Sequence, residues 1–536
     1  MKPLWQKETL KLSTLSPLHL GCDESYFPTE YVIADQQLCL LRPRDIQQAL
    51  SPQQWQKFGN LALQDSPTAL RTELDNEKST LKPFAYRTIN LHEGFIQYQN
   101  NRRQKKDSQL EIQRTSYNPH TEQPFIPGSA IKGAIRTAIL DNLNAQLELS
   151  PAPVPNKKGI NTANQNLQHR LLAYKEIPED PLRLLKISDS DYAPAEEYNP
   201  CNIYFAINIK RKPAKKGVQS NESGPSNILE CLDAGLHQLG QIQWTLMNPV
   251  VHQNINTKIP KINTLDELCT CVNNYYLPQL KIELDELEAL KCSNSRWQQD
   301  ITSLLEQLAP ALKDGHVMLM RLGRYGGADS KTVEGCRHIK ILGKKGDGAN
   351  YESLPHTRWL AGRNAKQHEN LLPFGWVVFE RPQRQPLEIG ELLRNINPHN
   401  NAEQASKAQK IEVERQQKRA ELIAERQQKQ QAAQAQIRRE KEQVQQRANN
   451  LSQLSGIGKD IFLLREKLET DKNPGVGASG QLSADLSQLI TKVIGEGSTE
   501  ERSTLYELAT RIYRHLGIDM KKNKKVKARL KELSSS

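Results

Sequence analysis

The sequence predicts an α+β protein that ends in a helical extension. Residues 8–15 and 202–210 alternate apolar and polar side chains, which is typical of strands with one buried face. Residues 264–312 carry apolar residues at helical spacing, with a predicted break at Pro278. Residues 402–450 contain neither Gly nor Pro, which favours a long exposed helix or a charged linker. With 536 residues, the chain can form two or more domains.

The overall composition indicates an anionic partner. The formal net charge is +12 and the isoelectric point is about 9.1, so nucleic acid is the first candidate. No apolar run reaches membrane-spanning length, and we therefore expect no membrane partner and a cytoplasmic location. The eight cysteines are scattered without a zinc-ligand spacing. We expect them to be reduced, and we expect neither a metal nor a cofactor.

The segment 125–137 combines a turn, a helix start and two cations. A Pro-Gly pair ending at Gly128 interrupts the preceding extended stretch, and Ser129 is the predicted N-cap. Lys132 and Arg136 lie four residues apart, so they share one face of the helix beside an apolar stripe. A helix N-terminus with unpaired amides and adjacent cations is suited to binding phosphate. The alternative is a capped amphipathic helix whose cations are solvated. The apolar stripe, predicted to pack against a sheet, consists of Ile131, Ile135, Ala138 and Ile139.

An early loop, residues 16–21, follows the first predicted strand and contains His19. Two roles are open for this histidine. In the first, it contacts a phosphate or acts as a general acid or base in RNA cleavage. In the second, it only satisfies its surroundings between Leu18 and Leu20.

A second basic segment, residues 319–332, is predicted to be a strand that runs into a Gly-rich loop. Glycines let backbone amides approach a phosphate, arginines bind it with two donors, and a tyrosine offers a stacking face for a base. The spacing is not that of a Walker loop. The alternative is a strand-connecting turn with solvated charges. The predicted RNA contacts are six residues of this segment and one later cation, Arg358. The six are Arg321, Arg324, Tyr325, Gly326, Gly327 and Lys331.

The pattern Pro-Gly-Ser-x-x-Lys-Gly-x-x-Arg at 127–136 closely resembles the motif of the RAMP superfamily, the RNA-binding subunits of CRISPR effector complexes. The same resemblance extends to LSPLHLG at 15–21, to the Ser-Asp-Ser that ends an apolar run at 188–190 and to the Gly-rich loop. The stretch LPFGW at 372–376 is similar to the end of one particular family within it. That family caps the 3′ end of the guide RNA in the type III-A effector, the Csm complex.

The resemblance implies two ferredoxin-like, RRM-related RAMP domains, at 1–195 and 196–395. Beyond them the chain departs from the family. We predict a charged, Gln-rich helix or linker at 396–455 and a small basic helical domain at 456–536. The cations between 521 and 529 either grip RNA or are solvated.

The resemblance also implies a function. It is that of a non-catalytic RNA-binding subunit that caps the 3′ end of the crRNA, takes part in crRNA maturation and complex assembly, and supports antiviral defence. The implied partners are the crRNA, the repeated RAMP backbone subunit, the small helical subunit and trimming nucleases. The implied RNA-binding residues are His19, Gly128, Ser129, Lys132 and Arg136, together with the seven residues named for the second basic segment.

Two other functions are open. A RAMP endoribonuclease acting on CRISPR RNA or target RNA needs a base such as His19, with Lys132 supporting the developing charge. A subunit that cleaves target RNA instead places an acidic residue in an early loop, where Asp23 and Asp35 are available. An interaction scaffold depends mainly on residues 396–536.

Overall fold

The computed structural model describes residues 4–64, 66–102, 110–147, 157–192, 200–211, 227–251, 255, 258–341, 350–382, 389–396, 402–475 and 477–534. The chain divides into two compact units, Met1–Arg419 and Ala420–Ser536, called here the N-terminal and C-terminal units. The N-terminal unit contains all the described strands, and the C-terminal unit is helical. The predicted α+β class with a helical C-terminal region is therefore confirmed. In the described residues, no helix combines the length and apolar character needed to cross a bilayer.

The strands follow one another along the chain up to residue 380. They are β1 (Trp5–Thr14), β2 (Gly21–Tyr26), β3 (Tyr31–Ala34), β4 (Gln37–Leu40), β5 (Arg87–Asn90), β6 (Ile112–Thr115), β7 (Leu185–Ile187), β8 (Asp191–Tyr192), β9 (Cys201–Lys210), β10 (Asn227–Leu232), β11 (Gly240–Met247), β12 (Val317–Arg321), β13 (Ile339–Ile341), β14 (Asn350–Glu352), β15 (Thr357–Gly362), β16 (Leu372–Pro373) and β17 (Trp376–Glu380).

The helices connect the strands and then continue alone. They are α1 (Pro43–Ala49), α2 (Pro52–Leu63), α3 (Pro67–Asn76), α4 (Lys78–Leu81), α5 (Glu93–Arg102), α6 (Gly128–Leu147), α7 (Lys157–Leu172), α8 (Leu265–Leu290), α9 (Ser295–Lys313), α10 (Ile389–Ile396), α11 (Ala402–Gln453), α12 (Gly456–Thr470), α13 (Gln481–Glu496), α14 (Thr499–His515) and α15 (Lys524–Ser534). Short 3-10 turns lie at Lys82–Phe84, Ile177–Glu179, Pro181–Leu184, Pro249–Val251, Asp329–Lys331 and Gly477–Ser479.

Two large sheets organise the N-terminal unit. The first has the strand order β12-β17-β1-β11-β7, with β8 also paired to β11. The second has the order β2-β6-β10-β9-β5-β4-β3, with β15 and β16 joined to it through β9. In the first sheet β1 lies between β11 and β17, where Leu10 pairs with Ile242 and Leu12 with Phe379.

The domain boundary predicted at residue 195 does not separate these sheets. The first sheet combines β1, β7 and β8 with three strands that come after residue 195, and the second sheet mixes strands from both halves in the same way. Each sheet contains strands from before and from after residue 195, so neither half of the sequence forms a complete sheet alone. The two halves therefore form one interleaved body rather than two consecutive domains.

Helices α6 and α8 pack against each other in the N-terminal unit. The predicted stripe of α6 is fully buried, and the Tyr276 hydroxyl of α8 donates to the Ala134 carbonyl oxygen of α6 at 3.2 Å. Helix α6 also contacts β7 of the first sheet, and its stripe shares one hydrophobic core with residues of that sheet, as predicted. The break predicted at Pro278 is wrong, because α8 continues through it to Leu290 and is followed by Lys291, whose backbone is left-handed at φ 51°.

The C-terminal unit has a hydrophobic core of its own. Helix α12 packs on α13 and α14, and α15 packs on α13 and α14. All four helices contribute buried side chains to this core, with Val526 and Leu533 coming from α15. Those from the other helices include Leu464 of α12, Leu486 and Val493 of α13, and Leu505 and Ile512 of α14.

Candidate nucleic-acid interface

The N-terminus of α6 is closed by protein rather than open to a phosphate. The Gly128 amide donates to the Asp189 carboxylate at 2.8 Å. A Cβ atom at Gly128 would lie 2.5 Å from the Ile187 carbonyl oxygen, so only glycine lets the helix start this close to the end of β7. Asp189 is therefore the cap, and Ser129 is an exposed residue of the first turn. The prediction that the amide of Gly128 holds a phosphate is wrong, because a carboxylate already occupies it.

The two cations of the motif attach α6 to the segment before β7. Lys132 Nζ donates to the Leu185 carbonyl oxygen at 2.8 Å. Arg136 forms an ion pair with Asp180 at 2.5 Å and also donates to Gln168 at 3.4 Å. Both side chains remain half-exposed. Each has more donors than these contacts use, so each can still bind a phosphate while it positions the helix.

A cluster of four cations surrounds this face of α6. Burial lowers the pKa of Lys132, and repulsion from Lys186, Arg136 and Arg183 lowers it further. Among the main contributors, only Asp180 raises this pKa. Lys186 is exposed and Arg183 is half-exposed. Sequence patterns did not single out Arg183 and Lys186, because they lie about 50 residues beyond the motif. We call Lys132, Arg136, Arg183 and Lys186 the α6 cation cluster.

Gly133 leaves open space between two members of this cluster along α6, Lys132 and Arg136, within the described residues. It lies in the interior of α6, is exposed, and a Cβ atom there would meet nothing within 4 Å. Glycine in a helix interior costs about 1 kcal/mol relative to alanine, and no internal contact of the protein requires it here. Ser129, one turn earlier, is also small and exposed. Gly133 was not among the predicted RNA contacts, although a glycine inside a predicted helix was a signal for it.

Arg321 and Arg358 are structural residues, which corrects their prediction as RNA contacts. Both are buried against Glu283 of α8, with nitrogen–oxygen distances of 3.0 Å. Glu283 is fully buried and also accepts from the indole nitrogen of Trp376 at 2.6 Å. Arg358 continues to Asp329 at 3.1 Å. These arginines connect both sheets to α8, so they are not available to a ligand.

The Gly-rich loop packs around the same buried charges. Tyr325 lies 5.5 Å from the ring of Phe374 and 5.6 Å from that of Trp359, so its half-buried ring packs in an aromatic cluster. Gly327 has φ +84°, and a Cβ atom there would lie 2.4 Å from the Asp329 carboxylate. Gly326 is buried beside the Arg321 side chain. The conformation of the loop is explained by these contacts, which corrects the prediction that its glycines approach a phosphate.

Arg324 and Lys331 are the predicted cations of this loop that remain exposed. The Arg324 guanidinium lies directly over Gly21 and forms an ion pair with Asp23. The two paired side chains are 46% and 86% exposed, and such surface pairs contribute little stability. A phosphate can therefore replace the carboxylate at low cost. Partial burial, and then the nearby cations Arg321 and Arg324, lowers the pKa of Lys331.

His19 is buried, which corrects its prediction as an RNA contact. Its side chain is 0% exposed, and Nδ1 lies 2.8 Å from the Glu230 carbonyl oxygen. Burial lowers its pKa. Of the two roles open from the sequence, burial and the Nδ1 contact favour the structural one, although Nε2 is buried without a hydrogen-bond partner among the described residues.

The lowered pKa of His19 predicts a pH dependence of stability. The unfolded chain takes up a proton near the ordinary histidine pKa of about 6.5, whereas the folded protein resists it. Stability at this site is therefore complete above that pH and decreases as the pH falls through it. We expect His19→Asn, which keeps a donor near the Nδ1 position, to show a smaller loss of unfolding free energy between about pH 7.5 and pH 5.5. Urea titrations at both pH values measure this difference, and an equal loss in both proteins contradicts the assignment.

Paired backbone connects the segment that leads into α6 with the loop of Arg324. The Phe125 amide donates to the Ser116 carbonyl oxygen at 3.1 Å, and the Ser116 amide donates to that of Leu20 at 2.5 Å. The Arg324 amide donates to the carbonyl oxygen of His19, the residue before Leu20, at 2.9 Å. Three steps between paired strands of about 4.8 Å each and one step along the chain of about 3.8 Å place the backbone of Phe125 within about 18 Å of that of Arg324.

Comparisons with known proteins give a matching family and similar solved structures. Residues 11–287 match the family described as RAMPs, the RAMP superfamily. A chain in the structure "Cryo-EM structure of Csm-crRNA-target RNA ternary complex in type III-A CRISPR-Cas system" is 19% identical, with a TM-score of 0.43, covering 70% of this chain and 100% of that chain. The "Crystal structure of T. onnurineus Csm5" is 17% identical, with a TM-score of 0.42, covering 69% and 100% respectively. Among curated proteins, no match is found.

Proposed function

The chain belongs to the RAMP superfamily, and from this premise we propose that it is a non-catalytic RNA-binding subunit of a type III-A CRISPR effector. In this proposal it holds and caps the 3′ end of the crRNA, and it takes part in crRNA maturation and in assembly with the neighbouring backbone subunits. Trimming nucleases act on the guide RNA up to the boundary that this subunit defines.

The observation that carries the proposal is the α6 cation cluster around Gly133. Lys132 and Arg136 lie on either side of Gly133 along α6, at a point where a Cβ atom would meet no described atom within 4 Å. Arg183 and Lys186 add positive charge near Lys132, and Asp180 partly neutralises it. A phosphodiester supplies the missing negative charge, and the absence of a side chain at Gly133 lets it come close to the helix. These contacts address the RNA backbone and not the bases, which suits a protein that holds guides of many sequences.

The burial of His19 supports binding without cleavage. Its imidazole has no exposed surface from which to take a proton from RNA. Of the two carboxylates available in the early loops, Asp35 is paired with Lys82 at 2.5 Å, and Asp23 is the partner of Arg324.

Gly133 variants test the proposal without weakening the fold. We expect Gly133→Ala to raise the stability of the N-terminal unit by about 1 kcal/mol and Gly133→Leu to be tolerated, because the space outside the helix is open. Both variants should weaken RNA binding, and the larger side chain should weaken it more. Electrophoretic mobility shift with crRNA ending at its mature 3′ end measures the effect.

Gly59→Ala is the matched control, since Gly59 is also helical and a Cβ atom there also meets nothing within 4 Å. It should alter stability in the same direction and leave RNA binding unchanged. A second arm uses Arg183→Gln with Lys186→Gln, which should reduce the salt slope of RNA affinity by about 1.4, or 0.7 for each lost contact. If both arms bind RNA like the unaltered protein, the α6 face is not the RNA site.

A further inference from the structure

Helix α15 presents a lysine face that the N-terminal site does not explain. Val526 and Leu533 point into the core of the C-terminal unit and are buried. Lys524, Lys527 and Lys531 occur at helical spacing on the opposite side and are exposed. The helix is held in place from its other flank, where Arg529 donates to the Ser487 hydroxyl of α13 at 2.7 Å.

The lysines of this region differ from the other cations of the C-terminal unit. Lys467 is paired with Asp485 at 2.5 Å, and Lys492 is paired with Asp460 at 2.6 Å. In contrast, within the described part of this unit, the exposed lysines of α15 and of the residues just before it form no ion pair. We call these residues the α15 lysine face, and they are Lys521, Lys522, Lys524, Lys525, Lys527 and Lys531.

Internal stability does not account for this arrangement. The carboxylate of Asp519 accepts from the backbone amides of Lys521 and Lys522, which is a capping role. The first turn of α15 contains no acidic residue, although acidic residues are the ones favoured there by the helix dipole. The lysines instead add positive charge to an end that is already positive. Such a placement is unfavourable for the helix alone, and a bound polyanion relieves this repulsion.

We propose that the α15 lysine face is a second RNA-binding surface, which grips the sugar–phosphate backbone of single-stranded RNA. Residues 521–531 contain no aromatic side chain, so base stacking does not contribute and binding is independent of sequence. Lysines act as point charges toward phosphates rather than as base readers. The site lies outside the family match at 11–287. The choice of RNA as the polyanion rests on the proposed function, whereas the surface itself does not.

The test changes three lysines of this face in the full chain. Gln has nearly the same helix propensity as Lys, so Lys524→Gln, Lys527→Gln and Lys531→Gln together should leave the helical signal in circular dichroism unchanged. We expect the triple variant to bind a mixed-sequence single-stranded RNA with a salt slope lower by about 2, or 0.7 for each lost contact. Fluorescence anisotropy across a series of salt concentrations measures the slope.

The matched control replaces three exposed lysines elsewhere with glutamine, namely Lys441, Lys459 and Lys472. It should leave the slope unchanged. If the two triple variants behave alike, RNA responds only to net charge and the proposal is overturned. An unchanged RNA slope together with impaired assembly of the complex also overturns it and identifies an acidic protein as the occupant.

Combining the variants separates this inference from the function proposed for α6. The α15 triple variant should lower the slope by the same amount with and without Arg183→Gln and Lys186→Gln. Loss of slope only from the α15 variant supports the second surface and rejects the α6 site. Loss of slope only from the α6 variant supports the α6 site and rejects the second surface.

Discussion

Glu283→Gln is expected to destabilise the N-terminal unit by about 3 to 5 kcal/mol, because it leaves a buried charge without its partner. Glu283 is fully buried and accepts from both Arg321 and Arg358. Glutamine has nearly the same shape but no charge, so the buried guanidinium of Arg321 loses its carboxylate partner, whereas Arg358 keeps Asp329 and Glu286. The effect should be large because β12, β15 and α8 meet at this carboxylate.

Tryptophan fluorescence during denaturant unfolding measures this change selectively. All six tryptophans of the chain lie between residues 5 and 376, so their signal reports only the N-terminal unit. Glu288→Gln is the control, because Glu288 is exposed on the same helix. It should change the unfolding free energy by less than about 0.5 kcal/mol. If the two variants lose similar stability, the buried ion pairs do not hold the sheets together.

Local patterns were sufficient wherever periodicity decides structure. The alternation at 8–15 and 202–210 corresponds to β1 and β9, and the α6 stripe is buried as its spacing predicts. In these elements each residue is constrained mainly by its neighbours along the chain. The sheet order could not be predicted in the same way, because β1 finds its partners β11 and β17 more than 200 residues away.

The predicted RNA contacts include residues that the structure buries and residues that it leaves exposed. The sequence could not separate them, because the contacts that decide burial come from distant parts of the chain. Arg321 looked like a ligand for phosphate because it adjoins glycines in a basic loop, but its carboxylate partner Glu283 comes from a distant helix. The sequence shows the cation, but it does not show which carboxylate neutralises that cation in the fold. Conversely, Arg183 and Lys186 join the α6 face only after β7 is placed beside α6. Lys132 and Arg136 remain at that face, where their role in RNA binding stays a prediction.

Gly323→Ala is expected to destabilise the N-terminal unit by about 2 to 4 kcal/mol, from a left-handed backbone and from overpacking. Gly323 has φ +79°, and a Cβ atom there would lie 2.4 Å from the His19 carbonyl oxygen. That oxygen accepts from the Arg324 amide. The new methyl group therefore pushes apart the two loops that hold the Arg324 guanidinium over Gly21. Unfolding followed by tryptophan fluorescence measures the loss of stability.

Arg324→Gln separates the loop geometry from the charge. This side chain is exposed and its ion pair is a surface pair, so the variant should remain within about 0.5 kcal/mol of the unaltered protein. If Arg324 contacts RNA, both variants lower the salt slope, by about 0.7 for the lost contact, although only Gly323→Ala lowers stability. A stability loss in Gly323→Ala with an unchanged slope in both variants assigns the two loops a purely structural role. If Gly323→Ala is instead as stable as the unaltered protein, the His19 loop moves to accommodate the new methyl group. The close approach at Gly323 then does not position Arg324.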